Sequence, residues 1–342
     1  MKTAEVSANA ILPYLYPGLI ENRLVFVDGE PVDAQASRVD GPALTLEFCK
    51  QGGATQIVVT AADQSAVVHP VRLLFLTTPG KNESVAAKIS IKAGLSARLG
   101  VIVDCIGLSG GERRTDVDVR LASNACLRYL DLRRGSEGSN LTSKSLFKLE
   151  NHASLDAFTF VEGGKFDASD VAVEFAGEHA FASFKGLALV AGDSRVQSRI
   201  IADHAAPHGT SRQFFKGILA GHARSELDSL VAIRAGAVKS DTRQLLQSLL
   251  LSDDALAQVR PELRIDCDDV SAQHGATVGR IEKDELFYMQ SRGLSESLAR
   301  YVLMMGFADE ILSEIEPAGI RAVLHALVKI RLEETLKFSQ TA

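Results

Sequence analysis

Tryptophan is absent from the 342 residues, aromatic residues reach only 6%, and positive charge is not in excess. The 37 Lys and Arg face 43 Asp and Glu, a formal net charge of −6. Nucleic-acid affinity comes mainly from basic surface, and single strands are held by aromatic stacking. Both shortages argue against nucleic acid as the main partner. No apolar run approaches the roughly 18–20 residues that span a bilayer, which argues against the membrane. The N-terminus, MKTAEVSANAILPYLYPG, is too weakly apolar for a signal peptide, and Pro13 and Pro17 interrupt it. Cysteine is scarce: Cys49, Cys105, Cys126 and Cys267 lie far apart with no CxxC pair. That excludes a disulfide framework and a self-contained zinc or cluster site, and suits a reducing cytoplasm. What is present is 46% hydrophobic and 23% charged residues, enough for a real core.

Repetition is the strongest pattern. Segments led by Ala97, Ala125, Ala153 and Ala180 align, with leaders 28, 28 and 27 residues apart, and a fifth copy is expected at Ala223. Each copy is apolar at every second place, the period of a half-buried strand. Further alternating runs lie between copies, including Val117, Val119 and Leu121, with Gly, Ser and Asn as turn residues. Such a unit is too short to bury its own apolar face, and stacking copies solves that. The period favours a parallel β-solenoid over an antiparallel sandwich, which has no reason to keep it. The solenoid is expected over 70–283, after a short N-terminal segment (1–69) and before a C-terminal helical domain (284–342).

Residues 20–32 read as a hairpin turning at Asp28-Gly29. Asp241 to Leu251 has helix-forming composition but lies among the expected rungs, and is assigned to strand. From Ser295, an N-cap candidate, Ala299, Val302, Leu303, Phe307, Ile311, Leu312 and Ile315 make a helical apolar stripe. Pro317 opens a second helix carrying Ile320, Val323, Leu324, Leu327 and Ile330. This pair is expected to cap the solenoid and offer a docking surface.

Three constellations carry possible chemistry. Leu108-Ser-Gly-Gly-Glu112 spells the signature loop of ABC-type ATPases, but it sits between strand runs and the chain has no P-loop. A glycine turn is the better reading. Asp203-His204-Ala-Ala-Pro-His208 offers two imidazoles and a carboxylate for a metal, against ordinary hydrogen-bonded histidines around Pro207. The densest segment is 261–293. Asp266, Asp268 and Asp269 flank Cys267 ahead of His274, a set suited to a divalent ion or simply to a solvated turn. Phe287, Tyr288, Arg292 and Gly293 follow, an aromatic and basic group suited to an interface.

This region resembles the SufB/SufD family of iron–sulfur cluster assembly scaffolds, and its SufD branch most. The resemblance runs through His204 with Ser211, Lys216-Gly217, Ala237, Lys239, Asp241, Gln244, Leu249-Leu-Leu-Ser252 and Pro261-Glu-Leu. It continues through Asp268-Asp-Val270, His274-Gly-Ala-Thr-Val-Gly279, Leu286-Phe-Tyr288 and Ser291-Arg-Gly293, with a weaker likeness at Leu24-Val-Phe-Val-Asp-Gly29. It implies a right-handed parallel β-helix with a C-terminal helical domain. It also implies a cytoplasmic scaffold, not an enzyme by itself, that pairs with a SufB-like subunit and binds the ABC-type ATPase SufC.

By the same resemblance, His274 supplies an interface ligand to transient iron or a nascent cluster. Nothing is stably bound to the chain alone, and Asp268 and Asp269 are candidates to orient the ring or hold iron. Phe287, Tyr288, Arg292 and Gly293 are assigned to partner binding, and the isolated chain is expected to be a homodimer. Gly275 stands where the SufB branch carries glutamate. Ala272 stands where SufD proteins often carry cysteine, so no thiolate is offered there. Most of the family's N-terminal helical region is also missing from the sequence. The rival functions are a homodimeric scaffold without a SufB-like partner and a β-helix polysaccharide hydrolase or lyase.

Overall fold

The computed structural model describes residues 14, 16, 19–32, 42–78, 84–108, 110–136, 138–316 and 318–339. Expectations that fall on residues 1–13, Pro17, Ser109 and Pro317 lie outside these. No helix among the described residues is long and apolar enough to cross a membrane.

The chain winds as a parallel β-solenoid, each coil giving one strand to each of two sheets. The ten-stranded sheet contains β1 (Asn22–Val27), β2 (Glu30–Pro31), β5 (Val71–Thr77), β7 (Arg98–Gly107), β9 (Cys126–Gly135), β11 (Ser154–Gly163), β13 (Phe181–Val190), β15 (Thr210–Leu219), β17 (Asp241–Leu250) and β19 (Ser271–Arg280). The nine-stranded sheet contains β3 (Leu44–Gln51), β4 (Ala54–Ala61), β6 (Val85–Ala93), β8 (Gly111–Leu121), β10 (Ser139–Leu149), β12 (Phe166–Phe175), β14 (Arg195–His204), β16 (Arg224–Ile233) and β18 (Leu256–Ile265). Among the described strands only β2 and β3, at the N-terminal end, pair antiparallel with their neighbours. The Asp28-Gly29 hairpin forms as expected, both residues having positive φ (51° and 81°). Its first strand, β1, also pairs parallel with β5, so the ten-stranded sheet already begins at residue 22. Asp241 to Leu250 is strand, where neighbouring ladders outweigh helix propensity.

The alanine repeat marks one corner. Ala97, Ala125, Ala153 and Ala180 precede β7, β9, β11 and β13, each fully buried or nearly so. The carbonyls of Ala97 and Ala125 accept from Cys126 and Ser154 one coil on, both at 2.8 Å. The expected fifth copy at Ala223 is wrong: Ala223 precedes β16, in the other sheet. The true fifth position is Gly209. A methyl there would stand 2.6 Å from His204 Nδ1, because that ring fills the corner that alanine fills elsewhere. Gly209→Ala is therefore expected to destabilise the fold by about 1–3 kcal/mol through overpacking. Urea unfolding checks this, and an unchanged midpoint would count against a filled corner.

Inside, apolar side chains of both sheets interdigitate, among them Leu73, Val101, Val119 and Phe175. On the outer face of the nine-stranded sheet, Lys88, Asp116, Lys144, Asp170, Arg199, Asp228 and Arg260 stand in register on successive strands. Opposite charges directly opposed on neighbouring strands stabilise the pairing and keep this face in water.

The outer face of the ten-stranded sheet is different. Ile102, Leu130, Leu132, Phe158, Phe160, Leu187 and Leu189 are buried there, under helices. Three helices end the chain: α1 (Lys283–Ser291), α2 (Glu296–Leu312) and α3 (Ala318–Ser339). The Ser295 hydroxyl accepts from the Leu298 N–H at 3.3 Å, confirming the N-cap. The helices do not cap the solenoid, as the sequence suggested. They fold back, and α2 and α3 lie against β13 and β15. The stripes shift accordingly. Met304, Met305 and Ala308 are buried where Val302 is exposed, and Val328 and Leu332 are buried where Ile330 is exposed. Lys216, fully covered, pairs with Glu310 and lies 3.9 Å from the Phe307 ring centre, pinning α2 to β15.

Candidate functional site: the uncovered terminal coil

Because the helices turn back, no described strand or helix pairs with the open edges of the last coil. β18 and β19 end their sheets, and each pairs on one side only. The hydrogen-bond phase shows what they present. Leu256 N–H bonds to Ala223 O, and Ser271 N–H bonds to Ser240 O. In a parallel ladder alternate residues bond to opposite neighbours. Odd residues of β18 and even residues of β19 therefore turn their backbone groups to the open edge. Pro261, which has no N–H, is among those odd residues, as an edge strand permits.

Toward this end the interior becomes polar. Gln244 Nε2 donates to Ser229 Oγ at 2.8 Å and to Ser229 O at 3.0 Å, and Ser229 Oγ donates to Gln213 Oε1. His274 on β19 is in register with buried Gln244, so it occupies an inward position. It is exposed only because no further coil follows. Ala272, two residues earlier, faces the same way and packs against the core. Gly275 faces the other way. A Cβ there would meet only Leu245 at an ordinary 3.6 Å, so packing does not demand glycine.

Asp268 and Asp269 lie in the turn between β18 and β19. Asp269 is engaged already: it pairs with Lys239 at 2.8 Å, and its carbonyl accepts from Lys239 N–H. Among the described residues no three His, Cys, Asp or Glu side chains gather round a metal-sized space. Cys267 is half-buried against the core. Phe287 and Tyr288 sit on α1, the first helix of the C-terminal helical region, and are 71% and 56% exposed. The Arg292 guanidinium lies 5.2 Å from the Tyr288 ring centre. Gly293, at φ +92°, takes the chain out of the helix in a conformation other residues rarely adopt.

The Asp203–His208 constellation is split by the wall. His204 points inward, stacks on Phe175 with centroids 4.1 Å apart, and its Nε2 lies 2.9 Å from Ser211 Oγ. Ser211 donates onward to Thr242 at 2.8 Å. His208 is outside, on a turn. Burial lowers the His204 imidazole from 6.5 to about 4, against a weaker opposing pull from Asp203. As pH falls from about 6.5 toward 4, the unfolded chain binds a proton that the folded chain refuses. Stability is thus expected to decline through that window by about 3 kcal/mol, with no slope from this group above it. Urea midpoints at pH 7 and 4.5 test this. His204→Gln should remove the slope, and a slope that survives would show that another group causes it.

Of the ATPase-like motif, Leu108 and Gly110 lie between β7 and β8, and Gly111 and Glu112 open β8, so a strand follows where the ATPases have a helix. A groove of about 1250 Å³ lies on the outer nine-stranded face. It holds Glu174 and Asp203 in register on adjacent strands. Each has a counter-ion, Lys148 at 3.8 Å and Arg234, whose Nε donates to Asp203 at 2.9 Å.

The fold is a parallel β-solenoid with an open terminal coil and a helical flank. The SUF system FeS cluster assembly, SufBD core domain profile matches residues 75–307, and the chain belongs to the SufBD family. It is 25% identical to the iron–sulfur cluster assembly protein SufD of Escherichia coli K12, covering 91% of this chain and 79% of that one. It is 28% identical to an iron–sulfur cluster assembly SufBD family protein of Mycobacterium tuberculosis, covering 83% and 73%. A third SufBD family protein, from Synechocystis, is 37% identical over 43% of this chain and 33% of its own.

Proposed function

We propose that this protein is a SufD-like scaffold subunit of a cytoplasmic SUF iron–sulfur cluster assembly complex. The observation that carries the reading is the uncovered terminal coil, with two open strand edges and His274 at its mouth. A SufB-like subunit adds its strands there and closes the polar interior; the isolated chain pairs with itself through the same edges. The SufC ATPase docks on the exposed α1 aromatics with Arg292 and Gly293. The chain acts by binding and orienting, not as a catalyst on its own, and the iron or nascent cluster is its transient cargo.

His274 offers an imidazole nitrogen to that cargo, while thiolates come from the partner, since Ala272 carries none. Asp268, or Asp269 released from Lys239, receives incoming iron. Co-expression with SufB-like and SufC subunits tests the assignment. His274→Ala is expected to leave melting and complex stoichiometry near those of the parent and to abolish iron and cluster formation. Normal cluster yield from a stable variant complex would refute the ligand role. Arg292→Ala is expected to weaken SufC binding by about 1–3 kcal/mol, as loss of an interface anchor does, read by calorimetry. Unchanged affinity would move the docking surface elsewhere.

A further inference from the structure

One corner of the solenoid carries a row of three histidines that the cluster-assembly reading does not use. His152, His179 and His208 stand two residues before β11, β13 and β15, at the same step of the same turn. All three have left-handed backbones, with φ of 57°, 57° and 61°. Histidine tolerates this region better than most residues. The turn is stitched from coil to coil. His152 N–H donates to Glu178 O at 2.8 Å, His179 N–H to Pro207 O at 3.2 Å, and His208 N–H to Val238 O at 2.8 Å. Identical backbone geometry at one-strand spacing aims the side chains in parallel. The rings of His152 and His179 stack with centroids 4.9 Å apart and planes 4° apart, and those of His179 and His208 at 4.4 Å and 10°. All three residues are exposed. Beyond the row, the equivalent residue of the next coil is Lys239, whose ammonium is paired with Asp269.

We propose that this ladder is a binding site for a borderline divalent transition-metal ion, held by two imidazoles at a time with His179 common to both pairs. Imidazole is a preferred ligand of such ions, and copper binds nitrogen sites most tightly among them. A metal–nitrogen bond of about 2.1 Å puts two ligand nitrogens about 3–4 Å apart on one ion. Stacked at 4.4 Å, the rings hold their in-plane lone pairs parallel, so binding turns both rings about their side-chain torsions until two nitrogens converge on the ion, a rotation open to exposed side chains on a turn. Water completes the coordination, since no third protein ligand is drawn in. The site lies on a different turn from His274 and stands or falls independently of the assembly reading.

The test uses full-length protein without an affinity tag, titrated with Cu²⁺ by calorimetry and examined by electron paramagnetic resonance. One ion per chain is expected to bind most tightly, with a spectrum showing two equatorial imidazole nitrogens. His179→Asn breaks both pairs yet keeps the turn, as Asn124 does at φ 60° one coil before His152. It should weaken binding at least tenfold without shifting the melting temperature. His152→Asn should change affinity less than threefold, because the His179–His208 pair survives. His274→Ala should leave copper binding unchanged. Equal affinity in the parent and the folded His179→Asn protein, or a single-nitrogen spectrum, would overturn the proposal.

Discussion

A chain cut after Glu282 is expected to come out of solution as aggregate rather than as a clean solenoid. Read as a cap, the helices could be removed from residue 284 onward and the coils left standing. Their fold-back position forbids this. With Tyr16 and Leu19 packed beside them, they cover Ile102, Leu130, Leu132, Phe158, Phe160, Leu187 and Leu189 on the outer face of the ten-stranded sheet. Each such side chain contributes about 1.5–3 kcal/mol by its burial. The sum, about 10–20 kcal/mol, is as large as the whole net stability of an ordinary domain, about 5–15 kcal/mol. A bare apolar sheet face of that size is also a template for association. A milder version isolates the contact: Leu324→Ala, at a side chain with no exposure, should cost about 2–5 kcal/mol. Light scattering and thermal melting decide. A monodisperse truncated chain with the parent's melting temperature would show that the helices do not hold this face. Loss of SufC binding on truncation would therefore not by itself locate the SufC site, which is why Arg292→Ala is the sharper probe.

Ala276→Pro is expected to separate folding from partnership. Ala276 is an even residue of β19, so its N–H points to the open edge and supports nothing within the chain. Proline there removes a donor only from an incoming strand, and edge strands tolerate proline. Stability should stay within about 1 kcal/mol of the parent, since no internal hydrogen bond is lost. Association through the edge, with itself or a SufB-like subunit, should weaken at least tenfold. Thr277→Pro is the control. Its N–H belongs to the ladder with β17, so the loss should be one of folding, about 1–3 kcal/mol. Sedimentation and co-purification read both variants. Dimers from Ala276→Pro as tight as the parent's would sink the edge as the docking surface, as would a parent that is monomeric at micromolar concentration.

The fold was legible where side chains repeat. Ala97, Ala125, Ala153 and Ala180 reported the coil length because every coil must turn a corner of the same size. The repeat faded where coils lengthened. Partners from Arg98 to Phe181 advance by 28, 28 and 27 residues (98, 126, 154, 181), and then by 29, 31 and 30 to Ser271 (210, 241, 271). Gly209 could not be recognised as the fifth rung without seeing His204 occupy its corner. The interface residues from 268 to 293 were singled out from residue types and family likeness. Nothing local revealed that Asp269 is paired with Lys239 thirty residues earlier.

By itself, then, the sequence determined the solenoid, its coil length in the regular half, the hairpin at Asp28-Gly29, the cap at Ser295 and the family. These follow from periodicity and turn chemistry, which act over a few residues or at one fixed spacing. Only the tertiary structure decided where the helices lie, and through that what His274 means. An apolar helix stripe records that it must be buried but not against which surface. Once α2 and α3 take the flank of the ten-stranded sheet, the last coil is left open and an inward-facing histidine stands at its mouth.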